Sequence, residues 1–109
     1  MAYRVVISPQ SKADIADVFA YLVRHGATES AKKWVSQIEK EMFSLDEMPN
    51  RFPVSPESSK FLFEIRQLIF GKRSGTYRII YRIDEALLEV HVLTVSHASR
   101  DEMKMEDLF

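Results

Sequence analysis

The sequence predicts an α+β fold: an N-terminal strand, an antiparallel helical hairpin, and a three-stranded antiparallel β-meander packed on the hairpin. Two apolar stripes with helical spacing occupy residues 9–45, and only a short glycine-containing turn separates them, which predicts the hairpin. Alternation of apolar and charged residues within residues 62–100 predicts strands with one buried face. At 109 residues, the chain is expected to form one domain spanning residues 1–109.

The first strand and the start of the first helix are predicted from residues 3–8 (YRVVIS) and Pro9. β-Branched residues favour a strand, Ser8 can cap free helical N–H groups, and proline fits the first helical position. His25 and Gly26 predict the end of the helix, because glycine accepts the left-handed conformation that often follows one. The apolar stripe of this helix consists of Ile15, Val18, Phe19 and Leu22.

A second helix is predicted to begin with Thr28 as its cap and to stop before Pro49. Its apolar stripe consists of Ala31, Trp34, Val35, Ile38, Met42 and Leu45. Because few residues separate the two helices, they should pack antiparallel and need a sheet to cover their joint apolar face. Residues 49–60 (PNRFPVSPESSK) are rich in proline and serine and are expected to form a loop.

The meander is predicted within residues 62–100. In its middle strand, one alternating set is Tyr77, Ile79, Tyr81 and Ile83, and the other is Arg78, Ile80 and Arg82. Period two therefore places the first set toward the hairpin and both arginines on the opposite face. In the last strand, the same rule puts Leu88, Val90 and Val92 on one face, and Glu89, His91 and Val95 on the other.

Composition and charge exclude several classes of protein. The chain has no cysteine, so disulfides and thiolate metal sites are excluded, and a cytoplasmic protein without a membrane segment is expected. The net charge is −1, with a basic stretch at residues 66–82 and an acidic tail at residues 101–109. Proteins that grip nucleic acid are usually more basic, so the balance weighs mildly against RNA or DNA as the main partner.

The candidate functional residues are mainly the cations of the meander. Arg66, Arg78 and Arg82 are expected to form one patch that could bind an acidic group or stabilise charge on a phosphate. In the alternative interpretation, each arginine pairs with a nearby acid such as Glu64 or Glu89. His97 and Arg100 close the meander, and histidine suits general base chemistry near neutral pH. His25 and His91 have no partners at ligand spacing, so no metal site and no cofactor are expected.

The order of these elements resembles the RelE/ParE toxin superfamily over residues 3–102. The segments that carry the resemblance are Ser8-Pro9 with Ala13-Asp14-Ile15, Ala31, Leu45, Pro49, Ile65-Arg66-Gln67-Leu68, Tyr77-Arg78-Ile79-Ile80-Tyr81-Arg82, His97 and Arg100. The resemblance implies the toxin of a type II toxin–antitoxin pair, neutralised by a co-expressed antitoxin that wraps it. RelE-like members cleave mRNA on the ribosome without a metal, whereas ParE-like members inhibit DNA gyrase.

The ParE-like branch is favoured. Ala98 falls where RelE-like nucleases carry an arginine, and Lys104 falls near the position of their C-terminal tyrosine. The low net charge also suits a protein that does not sit among rRNA phosphates. A ribosome-dependent mRNA endonuclease remains the alternative, with Arg78, His97 and Arg100 as its catalytic residues. A non-toxic binding module is a third possibility.

The resemblance also implies how partners bind. The remaining cations of the basic stretch, together with two of the sheet arginines, are the predicted binding residues: Arg66, Lys72, Arg73 and Arg82. A groove between the hairpin and the sheet is expected to take an amphipathic helix or an added strand from the antitoxin, giving a hetero-oligomer.

Overall fold

The computed structural model describes residues 2–72 and 75–97, with Lys72 described by its backbone alone. Its main elements are β1 (Arg4–Ile7), α1 (Pro9–Arg24), α2 (Thr28–Phe43), β2 (Arg66–Lys72), β3 (Gly75–Asp84) and β4 (Glu89–His97). Three short 3₁₀ turns lie between α2 and β2: Ser44–Asp46, Pro49–Arg51 and Ser58–Lys60. The α+β class, the helical hairpin and the antiparallel meander are confirmed. The predicted tail at residues 101–109 lies outside the described residues.

The four strands form one mixed sheet in the order β1-β4-β3-β2. The meander pairs antiparallel, whereas β1 pairs parallel with β4, with Val5 beside Val90 and Ile7 beside Val92. The hairpin therefore serves as part of the long connection that parallel neighbours require. Strand β2 lies at the opposite edge of the sheet from β1.

The ends of the helices follow their local sequence. Ser8 caps α1 by accepting a hydrogen bond from the Ser11 N–H at 3.0 Å, and Pro9 occupies the first turn. Gly26 adopts a positive φ of 77° after α1, as predicted. Thr28 is the first residue of α2 rather than its cap, because Ala27 takes the cap position without a side-chain hydrogen bond. Among the described residues, no helix is long and apolar enough to cross a bilayer.

The main core fills the space between α2 and the face of the sheet that we call the helix face. Ile38, Met42 and Leu45 pack there against residues of three strands. The strand residues are Leu68, Ile79, Tyr81, Val90, Val92 and Val95. The hydroxyl of Tyr81 donates to the Pro49 carbonyl at 2.5 Å, and burial raises the pKa of Tyr81 to about 12. The predicted orientation of the apolar set of β3 is confirmed.

A β-bulge in β4 overturns one predicted orientation. Ile80 pairs with Thr94, but the next residue, Tyr81, pairs with Val92, so Leu93 is an extra residue in the ladder. An extra residue reverses the side-chain alternation beyond it. Val95 therefore lies in the helix-face core, and the prediction that it shares a face with Glu89 and His91 is wrong.

The first turns of α1 dock on this bulge. Ser8 Oγ donates to the Leu93 carbonyl at 2.8 Å, and Ser11 Oγ donates to the Val92 carbonyl at 3.2 Å. The Asp14 carboxylate accepts hydrogen bonds from the Thr94 hydroxyl at 2.6 Å and from the Val95 N–H at 2.8 Å. These bonds satisfy backbone groups that the irregular ladder leaves open, and they fix α1 against β4.

A second, smaller core covers the other face of the sheet, which we call the open face. Ile65, Ile80 and Leu93 are buried there, and Phe61 and Phe63 pack against them. The covering residues follow the predicted loop at residues 49–60, and β2 begins only at Arg66, later than the start of the meander predicted at residue 62. The sheet is therefore covered on both faces, and the open face is only partly available for binding.

The contacts of Asp14 predict a specific loss of stability in Asp14→Ala. This change leaves the Thr94 hydroxyl and the Val95 N–H without their acceptor, so we expect a loss of about 1–3 kcal/mol in the free energy of unfolding. Urea denaturation followed by circular dichroism measures it. Asp17→Ala, on an exposed position of the same helix, is the control and should change stability by less than about 0.5 kcal/mol. Equal effects of the two changes would contradict the docking role.

Candidate functional site: the sheet arginines and two grooves

The strand register separates the predicted arginine patch. Arg66 pairs directly with Tyr81, and directly opposed residues of antiparallel strands share a face, so Arg66 lies on the helix face. Arg78 and Arg82 belong to the alternate set and lie on the open face with Ile80. The prediction of a single patch is therefore wrong for Arg66.

Arg66 holds together the segment that follows α2. Its guanidinium donates to the Phe52 carbonyl at 2.6 Å and to the Asn50 carbonyl at 3.2 Å, and it forms an ion pair with Glu64 at 3.1 Å. The sequence left open whether the sheet arginines pair with nearby acids such as Glu64, and Arg66 does so. Its guanidinium contacts are those of a structural residue.

Arg78 forms a buried ion pair with Glu57. Two guanidinium nitrogens donate to the two carboxylate oxygens at 2.8 and 2.6 Å, which is bidentate geometry. Further bonds run to Gln67 at 2.9 Å and Ser55 at 3.1 Å. The side chains of Arg78 and Glu57 are only 11% and 9% exposed. A phosphate could reach this guanidinium only if the Glu57 carboxylate were displaced.

Glu57 is a site residue that sequence reasoning missed. It lies 21 residues before Arg78, inside the proline-rich loop, and neither helical nor strand periodicity links the two positions. The available signal was an acid next to Ser55 in a loop that must cross the sheet. That signal does not identify which arginine the acid meets.

Arg82 and Glu89 each have other partners. Arg82 lies 4.9 Å from the centroid of the Phe63 ring and 3.5 Å from the Asp84 carboxylate. Glu89 pairs with Arg4 on β1 and with His91 at 3.0 Å, and the Arg4 guanidinium lowers the pKa of Glu89. Glu89 therefore ties β1 to β4 rather than neutralising the meander arginines.

The predicted catalytic residues are not brought together on one face. His97 pairs with Tyr77 on the helix face, where the two rings meet edge to face at 5.2 Å, whereas Arg78 pairs with Ser96 on the open face. Arg73 and Arg100 lie outside the described residues, and the side chain of Lys72 is not described. Among the described residues, no group of three His, Asp or Glu side chains could hold a metal ion.

A groove of about 600 Å³ lies between α2 and the outer part of β2, and we call it the edge groove. Trp34 and Phe70 line it, with ring centroids 6.2 Å apart, and Trp34 also meets Tyr77 at 5.2 Å. Desolvation by burial raises the pKa of Tyr77. The helical spacing predicted Trp34 in the core, and Trp34 both packs against the core and lines this groove.

A second groove runs along the hairpin, and we call it the hairpin groove. One part, of about 560 Å³, is lined by Phe19, Val35 and Phe43; the adjoining part, of about 280 Å³, shares Phe43 and extends to Ile7 and Ile15. Its charged lining residues are Lys12, Lys32, Lys40 and Glu39. Phe43 fell outside the predicted apolar stripe of α2, and an apolar residue off the stripe was the signal for this surface.

Comparison with known proteins identifies the family of this chain. The family model for the ParE toxin of the type II toxin–antitoxin system parDE matches residues 5–102. The chain belongs to the ParE toxin family. No curated protein sequence matches it.

A solved structure shares the fold of this ParE-family chain. It is a chain of the chromosomal ParDE TA system from P. aeruginosa, with a TM-score of 0.70 and 18% sequence identity. The match covers 88% of the present chain and 96% of the other. The membership of the RelE/ParE superfamily and its ParE-like branch, suggested by the sequence, is confirmed.

The buried pair predicts that removing one partner costs far more than removing both. Arg78→Met removes the bidentate partner of the buried Glu57 carboxylate, so we expect a loss of about 3–5 kcal/mol in the free energy of unfolding. The combined variant Arg78→Met with Glu57→Gln removes both charges and should recover most of that loss. Urea denaturation of the variants measures these differences.

The matched control for this cycle is Arg82→Met, which breaks a more exposed pair. Its expected cost is less than about 1 kcal/mol. If Arg78→Met costs no more than Arg82→Met, or if the combined variant is no more stable than Arg78→Met, the pair is not the buried interaction described here.

Proposed function

We propose that this ParE-family chain is a toxin that inhibits DNA gyrase in the cytoplasm and is neutralised by a cognate antitoxin. The match of the ParE family model across residues 5–102 is the observation that carries the proposal. The chain then acts as an inhibitor that binds its target, and it requires neither a cofactor nor a metal.

The state of Arg78 supports this choice over a ribosome-dependent mRNA endonuclease. A nuclease of the RelE type needs its sheet arginine at the scissile phosphate, where charge develops during cleavage. Arg78 is instead held by a bidentate carboxylate and two neutral acceptors beneath the segment that covers the open face. Displacing Glu57 would break a bidentate contact between two buried charges, which is energetically costly. His97 lies on the other face of the sheet and does not complete a nuclease site with Arg78.

The combined variant Arg78→Met with Glu57→Gln distinguishes gyrase inhibition from mRNA cleavage. Purified wild-type protein should inhibit DNA supercoiling by gyrase, and the combined variant should inhibit within about threefold of wild type, because neither buried side chain is available to a partner. Neither protein should cleave messages in a translating extract. Circular dichroism verifies that the variant is folded.

Two outcomes would contradict the gyrase proposal. If a large excess of wild-type protein does not inhibit DNA supercoiling by gyrase, the gyrase proposal is wrong. Message cleavage by the wild-type protein, lost in the folded combined variant, would instead establish the endonuclease and restore Arg78 as a catalytic residue.

The hairpin groove is the surface that best fits the antitoxin. Its floor is apolar, and its charged lining contains three lysines and only one acid, Glu39. An amphipathic helix places apolar side chains on one face and charges at its borders, so a helix with acidic borders complements this surface. The antitoxin helix is therefore proposed to lie between α1 and α2, along Phe19, Val35 and Phe43.

Phe43→Glu tests this surface without entering the core. The Phe43 side chain is 51% exposed, so the variant should fold and remain toxic when expressed alone. Loss of its burial should weaken antitoxin binding by about tenfold or more. Growth on co-expression with the product of the adjoining gene measures rescue from toxicity, and titration calorimetry measures the affinity.

Leu62→Glu is the matched control, because Leu62 is 93% exposed and lies outside the hairpin groove. Co-expression of the antitoxin should restore growth of cells that carry Leu62→Glu to the same extent as cells that carry the wild type. Full rescue of Phe43→Glu by the same antitoxin would place the antitoxin on another surface, and the gyrase assay would be unaffected by that result.

A further inference from the structure

The outer edge of β2 is only partly paired. Ser55 N–H donates to the Ile65 carbonyl at 2.9 Å, and Gln67 N–H donates to the Pro53 carbonyl at 3.1 Å, so the preceding segment covers the start of the strand. Alternate residues of an edge strand point their N–H and C=O groups outward. Ile69 and Gly71 continue the alternation that begins with Ile65 and Gln67, so their N–H and C=O groups also point outward. These groups have no backbone partner among the described residues.

Residues 68–71 of this edge carry no charge, no proline and no covering segment from the described residues, although the strand ends in Lys72. Natural edge strands are protected by charges, prolines or covering segments. Here Ile69 presents an apolar side chain that is 50% exposed, and Gly71 has no side chain. Gly71 also has a φ of 105°, and a Cβ there would lie 2.3 Å from the Gly75 carbonyl oxygen, so no larger residue can protect the position. Residues 68–71 are therefore open to a further strand.

The edge groove beside these residues offers apolar contact area. Trp34 and Phe70 line it, and tryptophan is among the residues that contribute most to protein interfaces. The Trp34 Nε1–H is buried and has no acceptor within the described part of the chain. A bound chain can cover the exposed parts of both rings.

Charge along the groove indicates which partner fits. Lys33, Gln37 and Glu41 line its helical side at intervals of four residues, so they share one face of α2. One end of this rim is cationic and the other is anionic, with no net charge. A strongly acidic or basic partner would be attracted at one end and repelled at the other. A second copy of the rim, reversed in direction, would meet opposite charge at both ends.

We propose that the β2 edge is a homodimer interface in which two copies pair their β2 strands antiparallel about a two-fold axis near Phe70. Ile69 of each copy then exchanges N–H···O=C bonds with Gly71 of the other, and the two sheets become one continuous sheet. The same axis reverses α2, so the Lys33 end of each rim approaches the Glu41 end of the other. This isologous arrangement closes on itself and leaves no further edge at this side.

The interface leaves the hairpin groove open. The edge groove uses Lys33, Gln37 and Glu41, whereas the hairpin groove uses Lys32, Val35 and Lys40 from other faces of α2. A homodimer can therefore bind two antitoxin chains at once. The inference does not depend on gyrase as the target.

A charge exchange tests the interface with the purified full-length protein. Sedimentation equilibrium should show a reversible monomer–dimer equilibrium for wild type. Lys33→Glu should raise the dimer Kd about tenfold, because each of its two copies now meets a like charge. Combining Lys33→Glu with Glu41→Lys should restore the Kd to near the wild-type value, since the reversed rim is again self-complementary. Lys40→Glu, on the hairpin-groove side, is the control and should leave the Kd unchanged.

A second measurement addresses the strand edge itself. Ile69→Lys should abolish the dimer, because a charge at the centre of the paired edges repels its symmetry mate. In wild type, hydrogen exchange at the Ile69 and Gly71 amides should slow as the protein concentration rises. A wild-type protein that is monomeric at every accessible concentration would falsify the proposal. A dimer whose charge exchange brings no recovery, or whose β2 amides gain no protection, would equally overturn it.

Discussion

The bidentate pair between Arg78 and Glu57 is the interaction on which the covered open face depends. The sheet carries apolar residues on both faces, so the segment before β2 must cross the open face and bury Ile80. That crossing also buries the Arg78 guanidinium, and a buried charge is tolerated only with a hydrogen-bonded counter-charge. Glu57 supplies it from the covering segment, so one contact both neutralises the arginine and attaches the cover.

The same contact occupies the arginine of the YRIIYR strand in this chain. An arginine at this point of the sheet can act on a phosphate only when it is free. In the present chain, the carboxylate of Glu57 takes the donors that a phosphate would need. In this structure, the segment that faces the YRIIYR strand therefore determines which group the Arg78 guanidinium contacts.

Helix α2 organises the partner surfaces because its three faces have separate roles. Ile38 and Met42 face the core, Lys32 and Val35 line the hairpin groove, and Lys33 and Gln37 line the edge groove. A single amphipathic stripe accounts for only the first of these faces. The rest of the helix is not simply solvated, since each remaining face borders an apolar depression with a distinct charge pattern. The surfaces proposed for the antitoxin and for a second copy therefore use different residues of α2.

The main helices and strands were predictable from sequence, because periodicity, caps and turn residues are local: Ser8-Pro9 began α1, Gly26 followed it, and alternation oriented β3. The resemblance of ordered motifs also identified the superfamily. The arrangement of the candidate site was not predictable in this way, because it depends on strand register and on contacts between residues far apart in the chain. One extra residue at Leu93 turned Val95 into the core, and direct pairing with Tyr81 moved Arg66 off the arginine face. Glu57 met Arg78 across 21 residues of chain, a contact that no local pattern encodes.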